Sequence, residues 1–317
     1  MTKNKDKTPK GKKLLFTLLA ILVIVLIIAV YFIAKYLSGY DITGLPPHGR
    51  SDDTVELQVD PGTDEDEEQT EREVDYFIDE NGKYIPDYDT VEENEYDPAL
   101  FRTENGRVYY DSDDVRYGID VSSHQEEIDW EKVAADGIDY AIIRAAYRGY
   151  GQSGTINEDE YFRRNAEGAK NAGLHIGAYI FSQAITPDEA REEAEYLINM
   201  VKDYTVDYPI VFDWEPINYD TARTDGVTRE QLTEIAMAFC ERIKQAGYYP
   251  AVYLNTDQGY MEYDLEQVSK YDIWLADYDD IPDFYYKFLI WQYTNKGEVD
   301  GITGSVDLNI SFKNYAG

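Results

Sequence analysis

Eight short apolar runs follow one another between residues 117 and 310, and they constrain the fold more than any other feature of the chain. They lie at 117–121, 140–146, 175–181, 209–213, 250–254, 272–276, 288–292 and 306–310. Most are continuously apolar, as expected for strands buried on both faces of a sheet. Segments with helical periodicity separate the first five runs, at 129–135, 160–172, 187–201 and 228–246. This alternation over about 200 residues predicts an α/β barrel.

The connections between the runs indicate how regular that barrel is. Capping boxes begin helices at Thr186 and Thr228, and Gly173 and Gly247 end the helices that precede them. Between the sixth and seventh runs only about eleven residues intervene, whereas a parallel crossover needs a dozen or more. We therefore predict an irregular (β/α) barrel whose last strands are joined by loops, with partly antiparallel pairing left open. A doubly wound open sheet is the alternative, although no run is followed by a dinucleotide-binding Gly-x-Gly-x-x-Gly.

The first 37 residues have the pattern of a signal anchor. Leu14–Ala34 is an uncharged, mostly apolar run of 21 residues, and at 1.5 Å per residue a helix of that length spans roughly 31 Å, enough for a bilayer core. Six lysines precede it, a flank that favours a cytoplasmic N-terminus. A cleaved signal peptide is the alternative, but its apolar core is usually shorter. We predict a basic cytoplasmic tail at 1–13, a transmembrane helix at 14–36, and the remainder on the cell-wall side of the membrane.

The segment that follows the apolar run is strongly acidic. Residues 38–116 carry a net charge of −19, within a total of −34 for the 317 residues. Such a segment buries too little apolar surface to offset its chain entropy, so we predict a largely disordered extracellular linker over 37–112. Docking of its tyrosine-rich part, from Tyr76 to Tyr110, onto the following domain is the alternative. The catalytic domain is predicted to cover 113–317.

Composition also limits the chemistry that the chain can perform. The globular part has a net charge of −21, which argues against nucleic acid as a partner. With Cys240 as the one cysteine, no intrachain disulfide can form. The three histidines and Cys240 lack the spacing of a zinc or iron site, so neither a metal nor another cofactor is predicted.

Four acidic residues fall at the strand ends, where barrel enzymes hold their catalytic groups. Asp120 lies in the first run, Asp213 and Glu215 close the fourth, and Asp307 lies in the eighth. Because strand side chains alternate, Asp213 and Glu215 point to one face, with Cα atoms about 6.6 Å apart. Two carboxylates with different proton affinities suit glycoside hydrolysis, in which one donates a proton and the other stabilises positive charge. An acidic strand end that faces solvent is the alternative interpretation.

Aromatic and polar residues near the same strand ends form a candidate substrate-binding set. Aromatic faces suit sugar rings, although each such residue also fits a core. The set contains Tyr147, Tyr179, Trp214, Trp274, Asp277, Tyr278, Trp291, Gln292 and Asn309. His124 is either a partner for one of the acids or a structural histidine.

Several stretches of this chain, in order, resemble the glycoside hydrolase family 25 lysozymes, the N-acetylmuramidases. They are Tyr117–Gln125 with Ile128–Trp130, Gly177–Tyr179, Asp213–Glu215, Trp274–Tyr278, and Trp291–Tyr293 leading to Gly301–Asn309. The resemblance covers about residues 117–312. One departure is Ile180, which stands where relatives often carry histidine.

The resemblance implies an irregular α/β barrel that cleaves the β-1,4 bond between N-acetylmuramic acid and N-acetylglucosamine in peptidoglycan. It implies Glu215 as the general acid and Asp213 as the group that assists the substrate's 2-acetamido group. Asp120 and Asp307 would complete the acidic floor of the groove. A non-catalytic peptidoglycan-binding module and a glycosidase that acts on another N-acetylated glycan, such as chitin, remain the alternatives.

Overall fold

The computed structural model describes residues 75–78 and 82–317, all of which belong to one compact unit of the chain. The predicted cytoplasmic tail, transmembrane helix and most of the acidic linker lie outside the described residues. Within the described part, none of the helices has both the length and the apolar character needed to cross a membrane.

The strands and helices of the described chain have the following bounds. The strands are β1 (Tyr76–Ile78), β2 (Tyr84–Pro86), β3 (Phe101–Glu104), β4 (Arg107–Tyr110), β5 (Arg116–Val121), β6 (Tyr140–Arg148), β7 (Ile156–Glu158), β8 (His175–Ser182), β9 (Ile210–Trp214), β10 (Pro250–Asn255), β11 (Asp272–Ala276), β12 (Ile290–Gly297) and β13 (Val306–Ser311). The helices are α1 (Trp130–Ala135), α2 (Phe162–Asn171), α3 (Pro187–Val201), α4 (Arg229–Gln245) and α5 (Leu265–Val268). Short 3-10 turns occupy Pro98–Leu100 and Ser123–Gln125, and a π turn occupies Gln258–Glu262.

Eight of these strands close into a barrel, and all eight correspond to the predicted apolar runs. From β5 through β6, β8, β9, β10, β11 and β12 each neighbouring pair is parallel. β13 then runs antiparallel to both β12 and β5, which closes the ring. This closure confirms an irregular barrel and excludes the open sheet. β7, which the sequence did not predict, forms a hairpin with the C-terminal part of β6.

Five connections carry helices: four were predicted from apolar residues at helical spacing, and the fifth, which holds the short α5 between β10 and β11, was not. In α3 the buried Ala190, Ala194, Leu197 and Val201 lie on one face, and Thr186 accepts a hydrogen bond from the Glu189 N–H at its start. Thr228 and Gln231 form the predicted capping box of α4. Between β11 and β12 the described chain has no helix, as the short connection predicted. The two strands are nevertheless parallel, and the antiparallel pairing occurs at β13 instead.

The interior of the barrel is filled by its own small cluster of large side chains. The cluster consists of Tyr140, Ile142, Tyr208, Val211, Ala251, Trp274, Ile290 and Tyr315. The rings of Tyr140 and Tyr208 stack at 4.2 Å. Gly118 makes this possible, since a Cβ there would lie 2.3 Å from the Tyr140 ring. The filled interior is a packed floor beneath one open end of the barrel.

Residues 82–112, which we name the N-terminal arm, correct the prediction of a largely disordered linker over this range. Ile85, Tyr88 and Val91 are buried in the main core, and Tyr96 stacks on Phe312 at 3.9 Å. The Tyr96 hydroxyl also donates to the Phe288 carbonyl (2.6 Å). The arm folds because its few apolar and aromatic residues cover a face of the barrel that lacks a helix, so they gain burial despite the surrounding acids.

Candidate active site

A polar cavity of about 220 Å³ opens at the end of the barrel where the parallel strands finish. Side chains from seven strands and from the residues that follow two of them line it. The lining residues are Asp120, Tyr179, Asp213, Glu215, Tyr253, Trp274, Tyr278, Gln292, Asn295 and Asp307. The structure therefore brings the four predicted acids into one cavity.

Strand direction explains why these acids meet. Asp120 lies near the C-terminal end of β5, and Asp213 and Glu215 lie at the end of β9 and one residue past it. Asp307 is the second residue of β13, and because β13 is antiparallel its N-terminal end lies at the same edge. Asp307 and Asp120 are thus direct partners across the β5–β13 pair.

Asp120 is held by a network of neutral hydrogen-bond donors. Its Oδ2 accepts from the Gln292 side-chain amide (2.9 Å) and from the Asn309 side-chain amide (2.8 Å). Trp274 fixes Asn309 by donating its indole N–H to Oδ1 (2.8 Å). The hydroxyls of Tyr278 (2.8 Å) and Tyr253 (3.1 Å) donate to Gln292 Oε1. With these oxygens occupied, each amide presents its N–H group to Asp120.

Burial makes ionisation of all four acids unfavourable. It raises the pKa of Asp120 and of Asp213 well above the ordinary value, and nearby carboxylates, Asp307 and Glu215 respectively, raise each further. Burial raises the pKa of Glu215, and the nearby carboxylate of Asp307 raises it further. Burial also raises the pKa of Asp307, although Asp120 and His124 oppose that shift. The site therefore tends to retain protons at a pH where exposed carboxyls have lost them.

Five predicted substrate-binding residues are in or directly behind this cavity. Tyr179, Trp274, Tyr278 and Gln292 line it. Asn309 is buried and supports Asp120 from behind. Tyr278 is about half exposed, so its ring is accessible to a ligand at the mouth of the cavity.

Four other predicted residues do not line the cavity, and for Trp214, Trp291 and Asp277 the structure corrects the assignment. Alternation along β9 turns Trp214 away from Asp213 and into the surrounding core. Trp291 is fully buried on the outer face of β12 and donates to the Asp277 carbonyl (2.7 Å). The Asp277 carboxylate accepts from the backbone N–H groups of Asp279 and Asp283 (both 3.1 Å), so it shapes a loop. Tyr147 lies on β6 near Arg144, outside the lining set.

Two residues that line the cavity, Tyr253 and Asn295, were not predicted from the sequence. Tyr253 lies in a predicted strand, and alternation from the interior Ala251 places it on the inner face beside Asp213. This alternation could have been used to predict the position of Tyr253 from the sequence. Asn295 lies beyond the predicted end of its strand at residue 292, because β12 continues through bulges to Gly297.

One group of acids has the proximity needed for a cation. Within the described part of the chain, Asp277, Asp279 and Asp283 bring carboxylate oxygens within 4.8 Å of one another. The loop hydrogen bonds of Asp277 and an ion pair between Asp283 and Lys83 already account for this clustering. We therefore assign no metal to it.

Comparisons with known proteins agree with this geometry. The pattern of glycosyl hydrolases family 25 matches residues 119–302. The autolytic lysozyme of Clostridium acetobutylicum is 28% identical over 193 residues, which are 61% of this chain and 54% of the relative. The uncharacterized protein YegX of Escherichia coli O157:H7 is 32% identical over 205 residues, 61% of this chain and 68% of that protein. This chain thus spans about half the length of the clostridial relative.

A solved structure matches the fold over almost its whole length. The family 25 glycosyl hydrolase from Bacillus anthracis superposes with a TM-score of 0.53 at 25% identity, covering 67% of this chain and 96% of that one. The family pattern covers more than half of this chain and includes Asp120, Asp213 and Glu215. The chain therefore belongs to the glycosyl hydrolases of family 25.

Proposed function

We propose that this protein is a peptidoglycan hydrolase that cleaves the β-1,4 bond between N-acetylmuramic acid and N-acetylglucosamine. The observation that carries the proposal is the cavity in which Asp120, Asp213, Glu215 and Asp307 meet beside aromatic side chains. Membership of family 25 and the lysozyme name of the clostridial relative support the same activity.

Glu215 is the general acid in this proposal. Its side chain is longer than that of Asp213 and less deeply buried, so it reaches the glycosidic oxygen of a bound chain more readily. Burial and Asp307 raise its pKa, which keeps the proton available for the leaving group. When the bond breaks, that proton passes to the departing sugar's oxygen.

Asp213 and the remaining acids stabilise the positive charge that develops at the sugar's anomeric carbon. Asp213 Oδ1 is buried and has no hydrogen-bond partner among the described residues, so it is free to accept the N–H of a 2-acetamido group. The acetamido oxygen then attacks the anomeric carbon as the leaving oxygen departs, and water later opens this intermediate. Asp120 and Asp307 complete the acidic floor beneath the ring, and the amide donors at Asp120 favour its ionised form.

We also propose that the enzyme is held at the cell membrane with its barrel on the wall side. The uncharged run Leu14–Ala34 and its lysine flank support this location. The acidic residues that follow form the tether that carries the barrel into the wall.

The decisive test uses the full chain, its Glu215→Gln variant and purified peptidoglycan, with reduced products identified by mass spectrometry. We expect new reducing ends on N-acetylmuramic acid, and a decrease in rate of at least about 10³-fold in the variant. The exposed change Asp203→Asn is a control that should keep full activity. Binding without new ends would indicate a wall-binding module, and cleavage of chitin oligomers alone would indicate another N-acetylated glycan.

A further inference from the structure

Two buried glutamines hold the main chain on either side of the proposed acid. The Gln183 side-chain N–H donates to the Glu215 carbonyl (2.9 Å). The Gln258 side-chain N–H donates to the carbonyl of the preceding residue, Trp214 (2.9 Å). Both glutamines are almost completely buried, at 0% and 2% exposed, so these bonds are shielded from competing water.

These bonds lie just where the barrel's own hydrogen-bond ladders finish. The pairing of β9 with β8 ends at Trp214 and Ser182, and its pairing with β10 ends at Asp213 and Tyr253. Glu215 lies one residue further, and Pro216 after it has no N–H to donate. Gln183 directly follows β8 and Gln258 follows β10, so one glutamine approaches from each neighbouring strand.

Each glutamine is itself fixed by further hydrogen bonds. The Gln183 carbonyl oxygen Oε1 accepts from the Thr224 hydroxyl (2.9 Å), and its Nε2 also donates to the Ser182 carbonyl (2.9 Å). Gln258 Oε1 accepts the backbone N–H of Asn255 (3.1 Å), and the Asn255 side chain accepts the backbone N–H of Gln258 (2.9 Å). Both amides therefore have one defined orientation.

We propose that Gln183 and Gln258 form a two-sided clamp that positions the carboxyl group of Glu215 for proton transfer. Neutral amides are suited to this task, because a lysine or arginine there would place positive charge beside the acids and favour their ionised forms. The inference rests on the proposed function of Glu215 as general acid. Gln183 and Gln258 are positioning residues, which act through the backbone of residues 214–216.

The test compares Gln183→Met and Gln258→Met in the full chain, because methionine has a similar length and lacks the amide. We expect kcat on soluble peptidoglycan fragments to fall about 10- to 100-fold, with KM changing by less than about twofold. The alkaline limb of the rate profile should move to lower pH, since a looser Glu215 is better hydrated and its pKa falls towards the ordinary value. The exposed change Gln245→Met should alter neither quantity.

The outcomes separate this inference from the proposed function. An unsubstituted chain that cleaves peptidoglycan, with both variants fully active and their pH limbs unmoved, would overturn the clamp alone. A higher KM with an unchanged kcat would overturn it as well. An inactive unsubstituted chain would overturn the proposed function and the clamp with it. If Gln183→Met does not fold, Thr224→Val removes only the bond that orients Gln183 and should reproduce the effect more weakly.

Discussion

At the scale of single residues, the alternation of side chains along a strand was sufficient to predict that Asp213 and Glu215 share a face. The same rule would have found Tyr253 and removed Trp214 from the site. The hydrogen bonds to Asp120 could not be predicted, because Gln292 and Asn309 meet it only after the last strand turns antiparallel. Sequence spacing contains no information about that turn.

The buried acids should make the protein less stable than it would be without them. Burial raises the pKa of Asp213 above its unfolded value, so the stabilisation that its neutral form allows is complete below about pH 3.8 and is lost as the pH rises through the raised pKa. We expect Asp213→Asn to lower activity and to increase the free energy of unfolding at pH 7 by on the order of 1 kcal/mol.

Denaturant unfolding at pH 3.5 and at pH 7 measures this effect. The gain in the free energy of unfolding should be present at pH 7 and small at pH 3.5, where Asp213 is mostly neutral in both states. Asp203→Asn, which removes one exposed carboxylate, is the matched control and should change stability little at either pH. A variant that is less stable at pH 7 would contradict the prediction.

At the scale of secondary-structure elements, apolar runs located the barrel strands well because these strands are buried on both faces. Helix α3 has the predicted bounds, because an N-cap residue and a proline mark its start and an apolar face runs along its length. The sequence predicted order in the N-terminal arm only as the alternative to a disordered linker, because its composition is acidic. The arm is ordered because it packs on the outer face of β12, which no helix covers. There Phe101 packs edge-on against Trp291 at 5.5 Å. No local pattern in residues 82–112 reveals that face.

The arm should be an integral part of the folded domain. A chain that begins at residue 113, the predicted domain boundary, would expose Phe288, Trp291 and Phe312, so we expect a lower melting temperature and aggregation compared with a chain that begins at residue 75. Within the full chain, Tyr96→Ala should destabilise by about 2–4 kcal/mol.

Tyr84 is the control for that substitution, because it belongs to the same arm but is 69% exposed. Tyr84→Ala should change stability by less than about 0.5 kcal/mol. Thermal unfolding followed by circular dichroism compares the two shortened chains with each other and the two variants with the unsubstituted full chain. Equal melting temperatures for the chains that begin at 75 and 113 would show that the arm is dispensable.

At the scale of the whole molecule, the negative charge of the protein opposes its approach to the cell wall that it is proposed to cleave. The region 117–317 carries a net charge of −21, and anionic wall polymers repel such a surface. The membrane tether that we propose would compensate by raising the local concentration of the barrel near the wall. Composition predicts an apolar run, an acidic segment and a barrel, but residues 82–112 of the acidic segment belong to the folded domain.

Removing the tether should therefore slow the cleavage of intact walls but leave the rate of bond cleavage in soluble fragments unchanged. We expect a chain of residues 75–317 to match the full chain on soluble peptidoglycan fragments and to be slower on cells. Raising the salt concentration from about 20 to about 150 mM should accelerate the released chain on anionic walls, because the Debye length shortens to about 8 Å. Equal rates of wall cleavage by both chains would rule out this purpose for the tether.

The antiparallel closure of the barrel also determines how the domain can be immobilised on a solid support. Arg116 and Ser311 are register partners, as are Asp120 and Asp307, and four residues of strand, about 13 Å, separate the two pairs. The last strand of the barrel thus finishes at the edge opposite the acids. A C-terminal peptide tag bonded to a bead or a sensor chip would consequently leave the cavity facing the solution, which allows immobilised enzyme to be presented with insoluble substrate.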